Sequence, residues 1–288
     1  MFLFAEYAVI VDRFSISPTI GRYMNLAIRM LLALACRQPF NRGSSRRIII
    51  KLLKRYAISP IRAAYRGIPM LFHLDNPTEQ KALFGYYNNR EVNYLIDIAR
   101  KRATYFVDLG ANSGFYSQVF LFHAAVGSRL LSIEPNPAMR ARILANIQLI
   151  EGSVRSRNIQ SILESCAASD QEADLFLNLH SGAGAAHVET QESEECIRIH
   201  TRKLLDLVNQ HGFNRIDLLK VDIEGHEDKA LMPFFENADA GLYPHSIIIE
   251  HTSDQLWQAD LWGRLRELGY QEILRTRGNL ILELPPGS

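Results

Sequence analysis

At 288 residues the chain has room for one large domain, or for a domain with an appendage. A hydrophobic content of 47% with 22% charged residues is ordinary for a soluble globular protein and sets aside fibrous and disordered classes. The formal charge of +1 points to no special partner, yet it hides an asymmetry. Residues 1–66 hold twelve Lys and Arg against Glu6 and Asp12, whereas the remainder carries 20 basic against 29 acidic residues. Residues 1–66 therefore read as a basic, partly helical N-terminal extension, and 67–288 as the main, acidic domain.

In chain order, Met24–Cys36 is the membrane-like stretch, but Arg29 interrupts it. It also falls short of the roughly 20 apolar residues that a spanning helix needs. It reads as an amphipathic helix packed on the body, with a membrane-surface helix and a targeting segment as weaker readings. After a breaker at Pro39 to Ser45, a basic helix is predicted near Arg46–Tyr56. Arg47, Lys51, Lys54 and Arg55 lie around one side of it, and Ile48, Leu52 and Leu53 around another. A solvated charged face is its plainer reading, and peripheral contact with an anionic membrane surface is the alternative. Cys36, Cys166 and Cys196 are odd in number and widely spaced, with neither a metal-ligand nor a disulfide pattern. A reducing compartment follows: a cytoplasmic protein, with the basic extension allowing contact at the inner membrane surface.

Beyond the extension the rhythm becomes strand, helix, strand. Tyr105–Leu109 is a short apolar run of the kind that forms a buried parallel strand. A helix is predicted from about Ser113 to Ala125, and a second strand over Arg129–Ile133. Pro135 and Pro137 open a helix through about Ile150, since proline suits a first helical turn. Further strands are predicted at Ser161–Ala167, Ile216–Val221 and Ser246–Glu250. Between the third and fourth, Ala173–Leu179 and Cys196–Thr201 alternate like hairpin strands around the Ser181–Ala186 loop. The chain closes with a helix (Asp254–Leu268), a strand (Gln271–Arg275), a turn near Arg277–Asn279 and a strand (Leu280–Leu284). The expectation is an α/β fold: a mostly parallel seven-stranded sheet, helices on both faces, and an antiparallel C-terminal edge hairpin.

In such a sheet ligands bind beyond the carboxyl ends of the strands. The residues there are Asp108 to Gly114, Glu134, Ala167 to Asp170, Asp222 to Glu227, and Glu250 with His251. Gly110 and Gly114 allow a tight turn, but their G-x-x-x-G spacing is neither the dinucleotide fingerprint nor a P-loop. Asp108 beside that loop suits a cationic ligand and disfavours a pyrophosphate. S-adenosylmethionine carries a sulfonium and an ammonium and no phosphate. Glu134, 24 residues after Gly110, is placed to accept hydrogen bonds from ribose hydroxyls.

The stretches FVDLGANSGFYS, SIEPNP followed by ANIQL, AASD, IDLLKVDIEGHE and IIIEH resemble the FkbM-type methyltransferases in order and spacing, over about Leu74 to Leu284. The resemblance implies a class I methyltransferase, Rossmann-like fold in 67–288, bound S-adenosylmethionine, and methylation of an oxygen on a sugar, a polysaccharide precursor or a natural product. By position, Asp108, Gly110, Asn112 and Gly114 would form the methionine-side loop, Glu134 would bind ribose, and Ala167 with Asp170 would border the adenine. Lys220, Asp222, Glu224, Gly225 and Glu227 occupy the family's second signature, beside the methyl group.

Transfer to a hydroxyl needs alignment of the partners and removal of one proton. Asp222, Glu224, His226, Glu250 and His251 are the candidate bases, with Asp222 and Glu224 placed first; His226 reads equally as a helix-start residue facing solvent. Lys220 is expected to pair with one of the acids. A metal held by Asp222, Glu224, Glu227 and Glu250 is the weaker reading, and none is assigned. The competing functions are a nicotinamide-dependent oxidoreductase, disfavoured by the glycine spacing, and a non-catalytic cofactor-binding module. The acidic body argues against a nucleic-acid partner, leaving a small-molecule or carbohydrate hydroxyl as the acceptor.

Overall fold

The structure is a computed structural model and describes residues 30–32, 43–57, 59–178, 187–189 and 196–285. The chain folds into two compact units, Met1–Asn89 and Arg90–Ser288.

In the N-terminal unit, Met30 to Leu32 are helical, and the rest of the Met24–Cys36 segment lies outside the described residues. Helix α1 (Gly43–Tyr56) buries Ile49 and Leu53 and leaves Ile48 and Tyr56 exposed. It starts inside the expected breaker, because Gly and Ser serve a helix N-terminus as readily as a loop. Strands β1 (Ile61–Tyr65) and β2 (Ile68–Phe72), which the sequence pattern does not predict, pair antiparallel from Ile61↔Phe72 to Tyr65↔Ile68. Their two-residue turn, Arg66 and Gly67, has both residues at positive φ. The division drawn from charge at 66/67 thus falls in a hairpin turn. Charge marks solvent-facing side chains, not the apolar pairs that hold strands together. Helix α2 (Pro77–Leu83) follows, with the Asn76 side chain accepting from the Thr78 and Glu79 amides and Pro77 opening the first turn.

The second unit is built on a seven-stranded sheet. After helix α3 (Asn89–Lys101) come β3 (Tyr105–Leu109), α4 (Phe115–His123), β4 (Arg129–Ile133), α5 (Pro137–Gln148), α6 (Glu151–Ser156) and β5 (Gln160–Glu164). A small sheet follows: β6 (Ala167–Ala168), β7 (Ala173–Asn178), β8 (His187–Glu189) and β9 (Cys196–Arg202). Then come α7 (Leu204–Gln210), β10 (Leu218–Val221), α8 (Glu227–Asn237), β11 (Ser246–Glu250), α9 (Leu261–Glu267), β12 (Gln271–Arg275) and β13 (Asn279–Glu283). The large sheet runs β12-β13-β11-β10-β3-β4-β5, and β13 alone runs opposite to the other six strands. The chain leaves β3 outward to β4 and β5, then returns to β10 on the other side. The strand order therefore reverses between β3 and β10, where an open α/β sheet forms its ligand crevice.

Alternation along the strands assigns the two faces. Val107, Leu109, Leu219, Val221, Ile247 and Ile249 share one core with Leu207 of α7, Phe234 and Phe235 of α8, and Leu265 of α9. On the opposite face Phe106 meets Phe120 of α4, ring centroids 5.1 Å apart. Helices thus cover both faces, as expected of the class I methyltransferase architecture.

Three expectations are corrected. The predicted Ser161–Ala167 strand stops at Glu164, and Ala167 opens the small sheet, paired with Thr201. The small sheet's β7 and β9 do pair antiparallel, but β8 adds an outer strand that the alternation did not show. The Ser181–Ala186 loop lies outside the described residues. The predicted Asp254–Leu268 helix is a 3-10 turn at Asp254–Leu256 and then α9, capped by Asp260 accepting from the Gly263 amide. Among the described residues no helix is long and apolar enough to cross a membrane.

Candidate functional site

Asp108 is the penultimate residue of β3, on the face that meets α4, and is 1% exposed. Ser117 Oγ of α4 donates to Asp108 Oδ2 at 2.6 Å and lies 2.8 Å from Ser132 Oγ of β4. Asp108 Oδ1 is buried without a hydrogen-bond partner, an exception for a buried polar atom that asks for an explanation. Lys220 is the register neighbour of Asp108 on β10, so both side chains leave the sheet on one face. Its buried Nζ donates to Asp222 Oδ2 at 3.1 Å and lies 5.0 Å from the Tyr116 ring centroid. Burial pushes the Asp108 carboxyl above its usual range, opposed by the Lys220 ammonium and the Ser117 bond. The expected pairing of Lys220 with one of the acids is with Asp222.

The loop after β3 is held from two sides. Gly110 and Ala111 donate their amides to Ile133 O, each at 3.1 Å. Asn112, at φ 51°, donates its amide to Glu134 Oε2 at 2.7 Å. Gly110 sits at φ 76°, and a Cβ there would overlap the Asp222 carbonyl oxygen. A Cβ on Gly114, at φ 80°, would meet Ile143 Cγ1 at 2.8 Å. The space these glycines leave open is therefore filled by protein: they set the loop's course and let it pack against β10 and α5. Glu134 follows directly on β4; its second oxygen accepts from the Asn136 amide at 2.8 Å. Burial raises its carboxyl to about 7 against the two amide bonds and the nearby Arg140.

After β10 the chain turns through Asp222, Ile223, Glu224 and Gly225, with Glu224 at φ 56°. Glu227, at the start of α8 and fully buried, shapes this turn. Its Oε1 accepts from the Ile223 amide at 2.9 Å and the Gly225 amide at 3.3 Å, and its Oε2 from Trp257 Nε1 at 2.8 Å. Its carboxylate is thereby committed to the protein. Glu224 and Glu250 carry the opposite signature. Burial, followed by the charge of Asp222, raises each carboxyl to about 7. Glu250 ends β11, and its Oε2 is buried without a hydrogen-bond partner.

The remaining predicted residues lie further out. His226 is the N-cap residue of α8, with no side-chain capping bond. His251 turns Nε2 to within 3.2 Å of the Thr276 carbonyl oxygen. Ala167 lies in the small sheet, and Asp170 is exposed, accepting from Ser169 Oγ at 3.0 Å. Both were placed at the end of the third strand of the large sheet, a position that Glu164 takes instead. Among the described residues no three His, Cys, Asp or Glu side chains gather to hold an ion. Sequence reasoning missed Ser117, Ser132 and Tyr116, which carry the polar row beneath the site, and Trp257. Ser117 and Tyr116 stand inside the FVDLGANSGFYS stretch; for Trp257, 30 residues after Glu227, no local pattern gives a signal.

A parallel sheet with one reversed strand near its edge, and carboxylates gathered at its switch point, defines a Rossmann-like protein of the class I methyltransferase type. Residues 108–272 match the Methyltransferase FkbM domain, more than half of the 288 residues, and the chain belongs to the FkbM methyltransferase family. Among solved structures it is similar to the FkbM methyltransferase of Methylobacillus flagellatus KT, at 15% identity over 84% of this chain and 71% of that one, with a TM-score of 0.44. It is also similar to a precorrin-6y C5,15-methyltransferase from Geobacter metallireducens, at 12% identity over 67% and 87% of the two chains, with a TM-score of 0.38. No curated protein matched.

Proposed function

We propose that this chain methylates a hydroxyl group of a sugar, polysaccharide precursor or natural product, with S-adenosylmethionine as the donor. The observation that carries the reading is the surplus of carboxylates at the reversal between β3 and β10. Asp108, Asp222, Glu224 and Glu250 gather there, Lys220 offsets one of them, and Asp108 Oδ1 stays buried and unpartnered. Such a site fits a cation and repels a nicotinamide cofactor's pyrophosphate. Asp108 would face the donor's positive groups, the Gly110–Gly114 loop would carry its methionine end, and Glu134 would take its ribose. S-adenosylmethionine supplies a methyl group already activated by a sulfonium.

What the chain must add is alignment and a proton acceptor. A base works best when its pKa lies near the working pH, and Glu224 and Glu250, raised to about 7, meet that condition. Asp222, held by Lys220, is better suited to fixing the geometry of the loop than to taking a proton. This reverses part of the ranking drawn from the motif alone. Calorimetric titration should show binding of S-adenosylmethionine and its demethylated product, and none of NAD. Mass analysis across a panel of hydroxylated acceptors should then show a gain of one methyl group. Binding of NAD without response to the methyl donor would refute the reading.

A further inference from the structure

The N-terminal unit holds a cavity of about 300 Å³ that lies within that unit and is independent of the methyl-transfer reading. Arg46, Arg47 and Ile50 of α1 line it at i, i+1 and i+4, and thus from one side of the helix. Gln80 and Lys81 of α2, with Tyr86 just beyond, line it too. Three cations share this small volume, and among the described residues no acid lines it and no carboxylate pairs with Arg46, Arg47 or Lys81. Like charges held this close repel one another in the empty protein, and an anion among them relieves that repulsion.

The cavity is also ordered in a way that a merely solvated face would not need. Arg46 Nη1 donates to the Tyr86 hydroxyl at 2.6 Å, and its guanidinium carbon lies 5.2 Å from the centroid of the same ring. Those contacts fix the plane of the guanidinium and leave its other N–H groups as donors. The Tyr86 hydroxyl, used there as an acceptor, keeps its own hydrogen to donate. A planar donor fork, a second guanidinium, an ammonium and a phenol form a donor set without an acceptor carboxylate. That chemistry matches phosphate oxygens. The volume stands at the lower end of small-molecule sites, and exceeds what one phosphate fills.

We infer that this cavity is an anion site for a phosphate-bearing ligand, a phosphomonoester or diphosphate group, held by Arg46, Arg47, Lys81 and the Tyr86 hydroxyl. Such a group comes either from a soluble phosphorylated molecule or from a phospholipid headgroup. Ile48 and Tyr56 are exposed on the same helix, beside Lys51, Lys54 and Arg55.

The test uses the full chain and inorganic pyrophosphate at low salt, followed by calorimetry. Arg47→Gln with Lys81→Gln removes two pocket charges on exposed residues; Lys51→Gln with Lys54→Gln removes the same charge from α1 outside the cavity. Wild type should show saturable one-site binding, the pocket pair should weaken it about tenfold or more, and the control pair should stay within about twofold. Equal weakening in both pairs, or no saturation in wild type, overturns the site. Phosphatidylcholine vesicles with and without phosphatidic acid then identify the source. Retention on phosphatidic acid vesicles that pyrophosphate reverses assigns the lipid headgroup, and pyrophosphate binding without vesicle retention assigns a soluble ligand.

Discussion

Gly110 packs against Asp222 backbone to backbone, so closely that a Cβ on Gly110 would overlap the Asp222 carbonyl oxygen. The loops after β3 and β10 are thereby joined at the point where the strand order reverses. Gly110→Ala should cost about 2–4 kcal/mol, combining the strain at positive φ with overpacking against a backbone atom that cannot turn away. Gly114→Ala should cost less, because the nearest atom it meets is Cγ1 of the Ile143 side chain. Denaturant unfolding of both variants checks the order, and equal losses would mean that the contact between loops is not what constrains Gly110.

Glu227 ties the same turn to a distant tryptophan. One carboxylate oxygen accepts from the Ile223 and Gly225 amides, and the other from Trp257 Nε1. Glu227→Gln puts an amide NH2 where an acceptor stood and leaves at least one buried donor unmet, at about 1–3 kcal/mol. The variant should unfold at lower denaturant, with altered Trp257 emission in its native state. Asp228→Asn makes the comparison: Asp228 Oδ2 accepts only from the Gln258 and Ala259 amides. It should loosen that segment and leave the Asp222–Gly225 turn in place.

Much of this architecture is legible in the sequence, and the exceptions have physical causes. Tyr105–Leu109, Arg129–Ile133, Ser246–Glu250 and Gln271–Arg275 match β3, β4, β11 and β12 residue for residue, because each apolar run ends at a charge, a proline or a glycine nearby. Ser161–Ala167 overran its strand because Ser165 and Cys166 suit a strand as well as a bend. The Asp254–Leu268 helix is broken by long-range partners: Glu227 and Asp228 hold the Trp257 side chain and the 258–259 amides from another helix. The β1–β2 hairpin went unseen because its strands are short and carry Arg62 and Pro69. In the site, the acids were legible as residues at strand ends. Their division of labour was not, since Glu227 turns inward and Glu224 does not, a difference that only backbone direction reveals.

Glu134 offers a direct test of donor binding. Its oxygens already accept from the Asn112 and Asn136 amides, so Glu134→Ala would strand two buried donors and disturb the fold as well as the site. Glu134→Gln keeps one acceptor oxygen and the side-chain volume. It should weaken S-adenosylmethionine binding by about tenfold or more with a smaller loss in Tm, and calorimetry with thermal unfolding separates the two effects.

The raised carboxyls also set a pH dependence. Glu134, Glu224 and Glu250 move from an ordinary 4.5 to about 7 in the folded protein. Between those values the folded chain holds protons that the unfolded chain has released. The stability they contribute is fully present below about 4.5 and is lost as pH rises through about 7. Without ligand, Tm should therefore fall from pH 5 to 8, and Glu224→Gln and Glu250→Gln should each flatten the slope. Affinity for the cationic donor should run the other way and rise with pH across the same window, as the carboxylates ionise. A Tm profile that rises over this range in wild type and is unchanged in both variants would refute the shifts.

The catalytic step gives the most discriminating prediction. If Glu224 or Glu250 accepts the hydroxyl proton, its amide variant keeps the shape and loses the base, at about 10² to 10⁴ in rate. The effect should appear in single-turnover methyl transfer, with donor affinity reduced far less. Wild-type rate should rise with pH through about 7, matching the carboxyl that must be ionised, and the variant that has lost the base should no longer show that limb. Asp222→Asn should behave differently. Losing the charge that faces Lys220 Nζ at 3.1 Å takes the hydrogen-bonded counter-charge from a buried ammonium and leaves it only the nearby Asp108, so it should lower stability along with rate and keep the pH limb. Activity that is unchanged in both glutamine variants, with the limb intact, would move the base to His226 or His251. The carboxylate site for the donor would remain as described, since its binding is read separately by calorimetry.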